Sequence, residues 1–237
     1  MATARAKFDG RFMYKGVVDR PSNLPFDKCI ELSSQLSKIP INNFEEEWEV
    51  IRVVPKDIVP ILHSRKIDFM LVGAHGLSGW LMQERGTQDV DILLRDKDKS
   101  KAAQAILKKF HGMILEKCPE VWRFSKDGQQ LLDLMLTVSP FHKRIFKEFD
   151  FTTVAAIKVK IPKVECSLAM KWSAMTGHYR NWGKKHLDAA DFISVVEKNQ
   201  KLNFALLREL GELRYERGGS ELIGYVEDAR AGRRLEI

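Results

Sequence analysis

The chain has 237 residues, 44% hydrophobic and 30% charged, and Lys and Arg outnumber Asp and Glu by 39 to 32 for a net charge of +7. That length leaves room for a sizeable core in one large or two small domains. No apolar run reaches the length of a membrane span, and the three isolated cysteines, Cys29, Cys118 and Cys166, read as structural thiols rather than a disulfide framework, metal site or nucleophile. The basic balance has two readings, an anionic partner (nucleic acid first) or a lysine-rich solvated surface.

The start, MATARAKFDG, is basic with no apolar segment behind it, so no secretory signal is expected and the cytoplasm is the expected compartment. Residues 1–45 are punctuated by Gly10, Gly16, Pro21, Pro25 and Pro40 and read as an N-terminal extension with one short helix over FDKCIELSSQLSKI. PKDIVPILHSRK predicts a helix from near Pro55 to before Ile67. IDFMLVG, 67–73, is a mostly apolar run ending in glycine, as suits a central strand. AHGLSGWLMQER predicts a helix and QDVDILL a second strand. DKDKSKAAQAILKKF predicts a loop and then a helix capped by Ser100. VWRFSKDGQQLLDLML predicts two strands around the Asp127-Gly128 turn, and FTTVAAIKVKI one more strand. From Pro162 the texture turns helical: VECSLAMKWSAM, KKHLDAADFISVVEK, FALLRELGELRYE and GSELIGYVEDARAG each predict a helix. An α/β half, 46–161, thus precedes a helical half, 162–237.

RGTQDVDILL, 85–94, sets two acids into a strand-like run. Residues i and i+2 of a strand share a face, so Asp89 and Asp91 stand side by side while Val90 and Ile92 point the other way. Adjacent carboxylates repel and are costly to desolvate, a cost that a divalent cation offsets. Mg²⁺ takes oxygen ligands, commonly one or two carboxylates plus substrate phosphates. The second D-x-D, Asp96-Lys97-Asp98, lies among lysines and reads as a solvated loop. Asp133 in LLDLML is a third acid in an apolar strand, and it joins the pair if its strand lies beside theirs. The preceding LVGAHGLSG offers backbone amides at a helix start to a phosphate, although Gly73 serves equally as an ordinary turn residue.

Taken together, LVGAHGLSG, RGTQDVDILL and LLDLML resemble the nucleotidyltransferase superfamily, closest to the AbiEii-type toxin nucleotidyltransferases of toxin–antitoxin pairs. Arg85, Thr87, Asp89, Val90 and Asp91 meet that family's R-x-T-x-D-[IV]-D motif, Lys171 stands at its L-x-x-K lysine, and Asp188 and Asp191 at its D-x-x-D helix. Ala74 replaces the turn's second glycine, and Phe192 an aliphatic residue. The resemblance implies a mixed sheet with flanking helices (α/β, or α+β), followed by a C-terminal helical domain. It implies transfer of an NMP from an NTP to a hydroxyl, with Asp89, Asp91 and Asp133 catalytic and holding Mg²⁺, or Mn²⁺. The acceptor would be tRNA or another RNA, or else a protein side chain or a small hydroxylated molecule, and an antitoxin would be a partner.

Other residues keep two readings. Gly73 and Ala74 would cradle phosphate through their amides; Ser78 could add a hydroxyl or face its own helix. Thr87 could cap the turn or touch phosphate, and Arg85 could neutralise a triphosphate or pair with an acid. Lys171 could reach phosphate or lie on the surface; Asp188 could pair with Lys171 or orient the nucleotide. His75 could meet substrate but reads first as a structural histidine. Trp172, Tyr179 and Trp182 fall at helical spacing and read as core, while the basic residues of HYRNWGKK around them would also suit a nucleic-acid surface. The alternative to an enzyme is a catalytically silent RNA- or protein-binding module.

Overall fold

The computed structural model describes residues 25–36, 52–82, 85–178 and 180–237, so most of the expected N-terminal extension, and Tyr179, lie outside the described residues. Helix α1, Phe26–Leu36, and helix α2, Pro55–Ser64, come first. Pro55 sits at the start of α2, where a missing N–H costs nothing, and Asp57 reaches back to the Val54 amide.

Strand β1, Phe69–Val72, runs straight into α3, Gly73–Leu81. Strand β2, Val90–Leu94, is followed by a 3₁₀ turn, Asp96–Asp98, and α4, Lys99–Lys109. That turn starts the helix early, so Asp98 rather than Ser100 occupies the cap position, and Lys99 pairs with Asp96 at 2.7 Å. Strands β3, Ile114–Lys117, β4, Val121–Lys126, and β5, Gln129–Leu136, follow, the last two joined by the expected Asp127-Gly128 turn with both residues at positive φ. Helix α5, Pro140–Ile145, is capped by the Ser139 side chain.

FTTVAAIKVKI is not one strand but a hairpin, β6, Phe149–Val154, and β7, Ile157–Pro162, turning at Ala155 and Ala156 with φ of 50° and 61°. Four helices complete the chain: α6, Val164–Met175; α7, Trp182–Lys198; α8, Phe204–Arg214; and α9, Gly218–Arg230.

Among the described residues, seven strands form one mixed sheet in the order β3-β4-β5-β2-β1-β7-β6. The β2–β5 and β1–β7 pairs are parallel and the others antiparallel. This is the mixed sheet with flanking helices that was expected. Alternation along the strands divides the core between the two faces. Ile92 and Leu94 of β2 join Leu132 and Leu134 of β5 under α2 and α4. On the other face Leu93 and Val72 meet Leu77 of α3, Trp172 of α6 and Phe192 of α7. The helices after Pro162 share this core with the sheet rather than closing a separate one. Among the described residues, no helix is long and apolar enough to cross a membrane.

Candidate active site

The parallel pairing of β2 with β5 sets Asp91 directly beside Asp133. Asp91 lies one step across from Val72 on β1, and Asp133 one step across from Arg123 on β4. A single row across the sheet therefore reads Val72, Asp91, Asp133, Arg123. Asp91 projects on the face of Leu93, toward the C-terminal helices, while Asp89 sits just before β2 begins.

Gly73 follows Val72 and turns the chain from β1 into α3. Its φ is +60°, and a Cβ there would lie 1.8 Å from Asp91 Oδ2. No side chain fits, and the close approach leaves the Asp91 carboxylate against the start of α3. The first amides of a helix have no partner within it, and its dipole favours an anion. Ala74 and His75 follow in that first turn, both buried.

The three acids act on one another. Burial first, then the charges of Asp89 and Asp133, push the Asp91 carboxyl up to about 8. Burial raises Asp133 to about 6; Arg123 opposes the rise and Asp89 adds to it. Thr87 donates to Asp89 Oδ1 at 2.8 Å, and Gln130 approaches Oδ2 at 3.4 Å. Arg123 Nε stands 3.9 Å from Asp133 Oδ2, and Asp133 Oδ1 is buried with no hydrogen-bond partner.

Among the described residues, no three His, Cys, Asp or Glu side chains are disposed as a ready cage for a metal ion. Within the expected Asp89–Asp91–Asp133 group, Thr87 and Gln130 contact Asp89, and Arg123 stands beside Asp133. The donor chemistry nonetheless fits a hard cation. All three groups offer oxygen, one buried Asp133 oxygen is unpartnered, and Asp91 is crowded by like charge.

The second ring of expected residues forms a chain of ion pairs. Lys171 Nζ meets Asp188 Oδ1 at 2.7 Å and Asp191 Oδ2 at 2.8 Å. Arg180 bonds the other oxygen of Asp188 through Nη2 at 2.6 Å, and Arg85 Nε bonds Asp191 Oδ1 at 3.0 Å. The chain joins the loop before β2 to α6 and α7. Arg85 thus pairs with an acid, Lys171 and Asp188 pair with each other, and Asp191 belongs to the same group. Ser78 is removed from the site: it is fully buried and donates to the His75 carbonyl at 2.9 Å. His75 is buried too, its Nδ1 unpartnered and its ring held to about 4 by desolvation. Trp172 and Trp182 do not share a helix, because α6 ends at Met175 and α7 starts at Trp182.

Gln130 and Arg123 were not anticipated. The Asp127-Gly128 turn pairs Lys126 with Gln129 and Ser125 with Gln130, a register that would carry on to set Trp122 against Asp133. A β-bulge between Phe124 and Ser125 shifts it by one and puts Arg123 there instead. No sequence signal announces that bulge.

No protein-family model and no curated protein matches the sequence. Among solved structures the chain is similar to the lincosamide antibiotic adenylyltransferase LnuA bound to lincomycin, at 16% identity and a TM-score of 0.44, over 61% of this chain and 99% of that one. It is also similar to an antigenic nucleotidyltransferase-like protein from Paracoccidioides brasiliensis, at 18% identity and a TM-score of 0.46, over 77% and 92%. A third is the Thermotoga maritima CCA-adding enzyme complexed with tRNA, at 12% identity and a TM-score of 0.33, over 79% and 55%.

Proposed function

We propose that this chain is a nucleotidyltransferase, moving an NMP from an NTP to an acceptor hydroxyl and releasing pyrophosphate. The observation that carries the reading is the row of acids: Asp91 and Asp133 adjacent on parallel strands, the charge of Asp89 acting on both, and the α3 N-terminus against Asp91.

In this reading the amides of Gly73, Ala74 and His75 bind triphosphate oxygens. Asp89, Asp91 and Asp133 would hold Mg²⁺, or Mn²⁺. A bound divalent cation supplies charge neutralisation and polarises the reacting oxygens. Thr87 and Gln130 orient Asp89. Asp133 accepts the proton of the acceptor hydroxyl as its oxygen bonds to the α-phosphorus. The bond to the bridging oxygen breaks and pyrophosphate leaves. Positioning and charge carry most of the rate. The motif from Arg85 to Asp91 supports a toxin-type enzyme acting in the cytoplasm, with tRNA as acceptor and an antitoxin as partner.

One observation favours a second reading, a catalytically silent binding module: Arg85 and Lys171, the cations expected to meet phosphate, are both held by carboxylates. The two separate on incubation of the purified protein with each α-³²P-labelled NTP, Mg²⁺ and total tRNA, beside Asp89→Ala/Asp91→Ala. Label on RNA that the double variant fails to produce is the expected result. Label on protein redirects the acceptor to a side chain. No label, and no thermal shift from any NTP, leaves the silent module.

A further inference from the structure

From Cys166 to Leu187 the chain holds four Lys or Arg residues and no acid. Lys171 and Arg180 are committed to Asp188. Lys184 and Lys185 stand on the first turn of α7 beside Trp182, which is 63% exposed although it is the largest side chain of its helix. Its ring meets His186 in a T-shaped contact, the centroids 4.6 Å apart and the planes 86° to each other. Single exposed hydrophobics are ordinary. An exposed indole among cations is the combination that single-stranded nucleic acid uses, because every base has a π-face to stack and every linkage a charge to neutralise.

This turn borders the acids. Arg180 acts electrostatically on Asp91, and Lys184 on Asp133. The ion pairs from Arg180 through Asp188, Lys171 and Asp191 to Arg85 tie it to the loop that carries Asp89. We infer that the start of α7 is the acceptor platform: the end of a nucleic-acid single strand stacks a base on Trp182 and lays its phosphates on Lys184 and Lys185, so that its terminal hydroxyl faces Asp133. The inference rests on the transfer reaction and nucleic-acid acceptor proposed above, and gives that acceptor its docking place on the chain.

The test is fluorescence anisotropy with a 5′-fluorescein-labelled single-stranded RNA 12-mer of mixed sequence, without NTP. Trp182→Ala should weaken binding by about 10-fold, and Trp182→Phe should recover most of the loss. Lys184→Ala/Lys185→Ala should also weaken it and flatten the slope of log K against log salt by about 1.4, or ~0.7 per phosphate contact. Lys108→Ala/Lys109→Ala, which removes the same charge from the exposed end of α4, should stay within about twofold of wild type. If the Trp182 and Lys184/Lys185 variants bind no more weakly than that control, the platform is overturned. The transfer reading is judged separately, by an NTP thermal shift that Asp89→Ala/Asp91→Ala should abolish. Unchanged strand binding with that shift intact removes the platform alone and leaves the transfer reading standing.

Discussion

Asp91 is the residue on which folding and function conflict. Its carboxyl lies near 3.8 in the unfolded chain and is raised to about 8 in the fold. The folded protein therefore keeps a proton that the unfolded chain releases. The contribution to stability is full below about pH 4 and is lost as pH rises toward 8. Asp133, raised to about 6, adds a loss of the same sign over the lower part of that window. Asp91→Asn should then melt higher than wild type at pH 8 in EDTA, by about 1–2 kcal/mol, or roughly 2–8 °C for a chain of this size. At pH 4 the difference should shrink toward zero, and Mg²⁺ should raise the melting temperature of wild type at pH 8 but not that of the variant. A variant less stable than wild type at pH 8 would mean that the carboxylate is already satisfied. Gly73→Ala meets two penalties, a positive φ and a Cβ driven into the Asp91 carboxylate. A loss of about 2–3 kcal/mol in urea denaturation is expected, together with loss of any NTP-dependent thermal shift. The acids and Gly73 were legible because an acid in an apolar strand, or a glycine at a strand end, departs from what local burial asks for. The pairing of Arg85 with Asp191 was not, since the partners lie 106 residues apart and only the packing of α7 brings them together.

The two hairpins show where an element can be read and where it cannot. Asp127-Gly128 supplies residues that tolerate positive φ, so the turn is written in the sequence. Ala155 and Ala156 make a turn of the same kind at φ of 50° and 61° without such residues, and the segment reads as one unbroken strand. Two exposed alanines in the left-handed region are strained. Ala155→Asn/Ala156→Gly should relieve that strain and stabilise the protein by about 1 kcal/mol, measured as a rise in melting temperature of roughly 2–4 °C. Strand β3 leaves no mark in the sequence for another reason. ILEK lies at the sheet edge with Ile114 66% exposed, so no buried alternation marks it. Helices α6 and α7 were legible from their apolar spacing, but the carboxylate between them has a further role. Asp188 is 2% exposed and bonded to both Lys171 and Arg180. Asp188→Ala leaves Lys171 short of one of its two carboxylates in a buried setting, which should cost about 3–5 kcal/mol. Hydrogen exchange should show the loss as faster exchange in α6 and in the loop that carries Arg85. Unchanged protection there would mean that the ion-pair chain does not hold that loop.

The change of texture at Pro162 marks the end of β7 and the start of the helices, and sequence alone reads such a change as a domain boundary. Packing gives it a different meaning. The helices after Pro162 bury Trp172, Phe192, Leu207 and Val226 in one cluster with Met70, Val72 and Leu93 of the sheet. Among the described residues, α3, α5 and these helices cover that face of the sheet, and their apolar sides pack into the same cluster. Each half is therefore the solvent shield of the other, and the acids stand where the halves meet. Loss of the helices would expose the apolar face of β1 and β2 and strip Lys171 and Asp188 from the site at once. The chain should consequently unfold in one transition. In a urea titration, far-UV circular dichroism, which follows helix throughout, should coincide with tryptophan fluorescence, to which the buried Trp172 contributes. Residues 162–237 expressed alone should fail to give a cooperative transition, because their apolar faces remain open. Two resolved transitions, or a stably folded C-terminal fragment, would show that the helical half has a core sufficient to itself. The ion pairs between Arg85 and Asp191 would then be a docking contact between domains rather than part of a single fold.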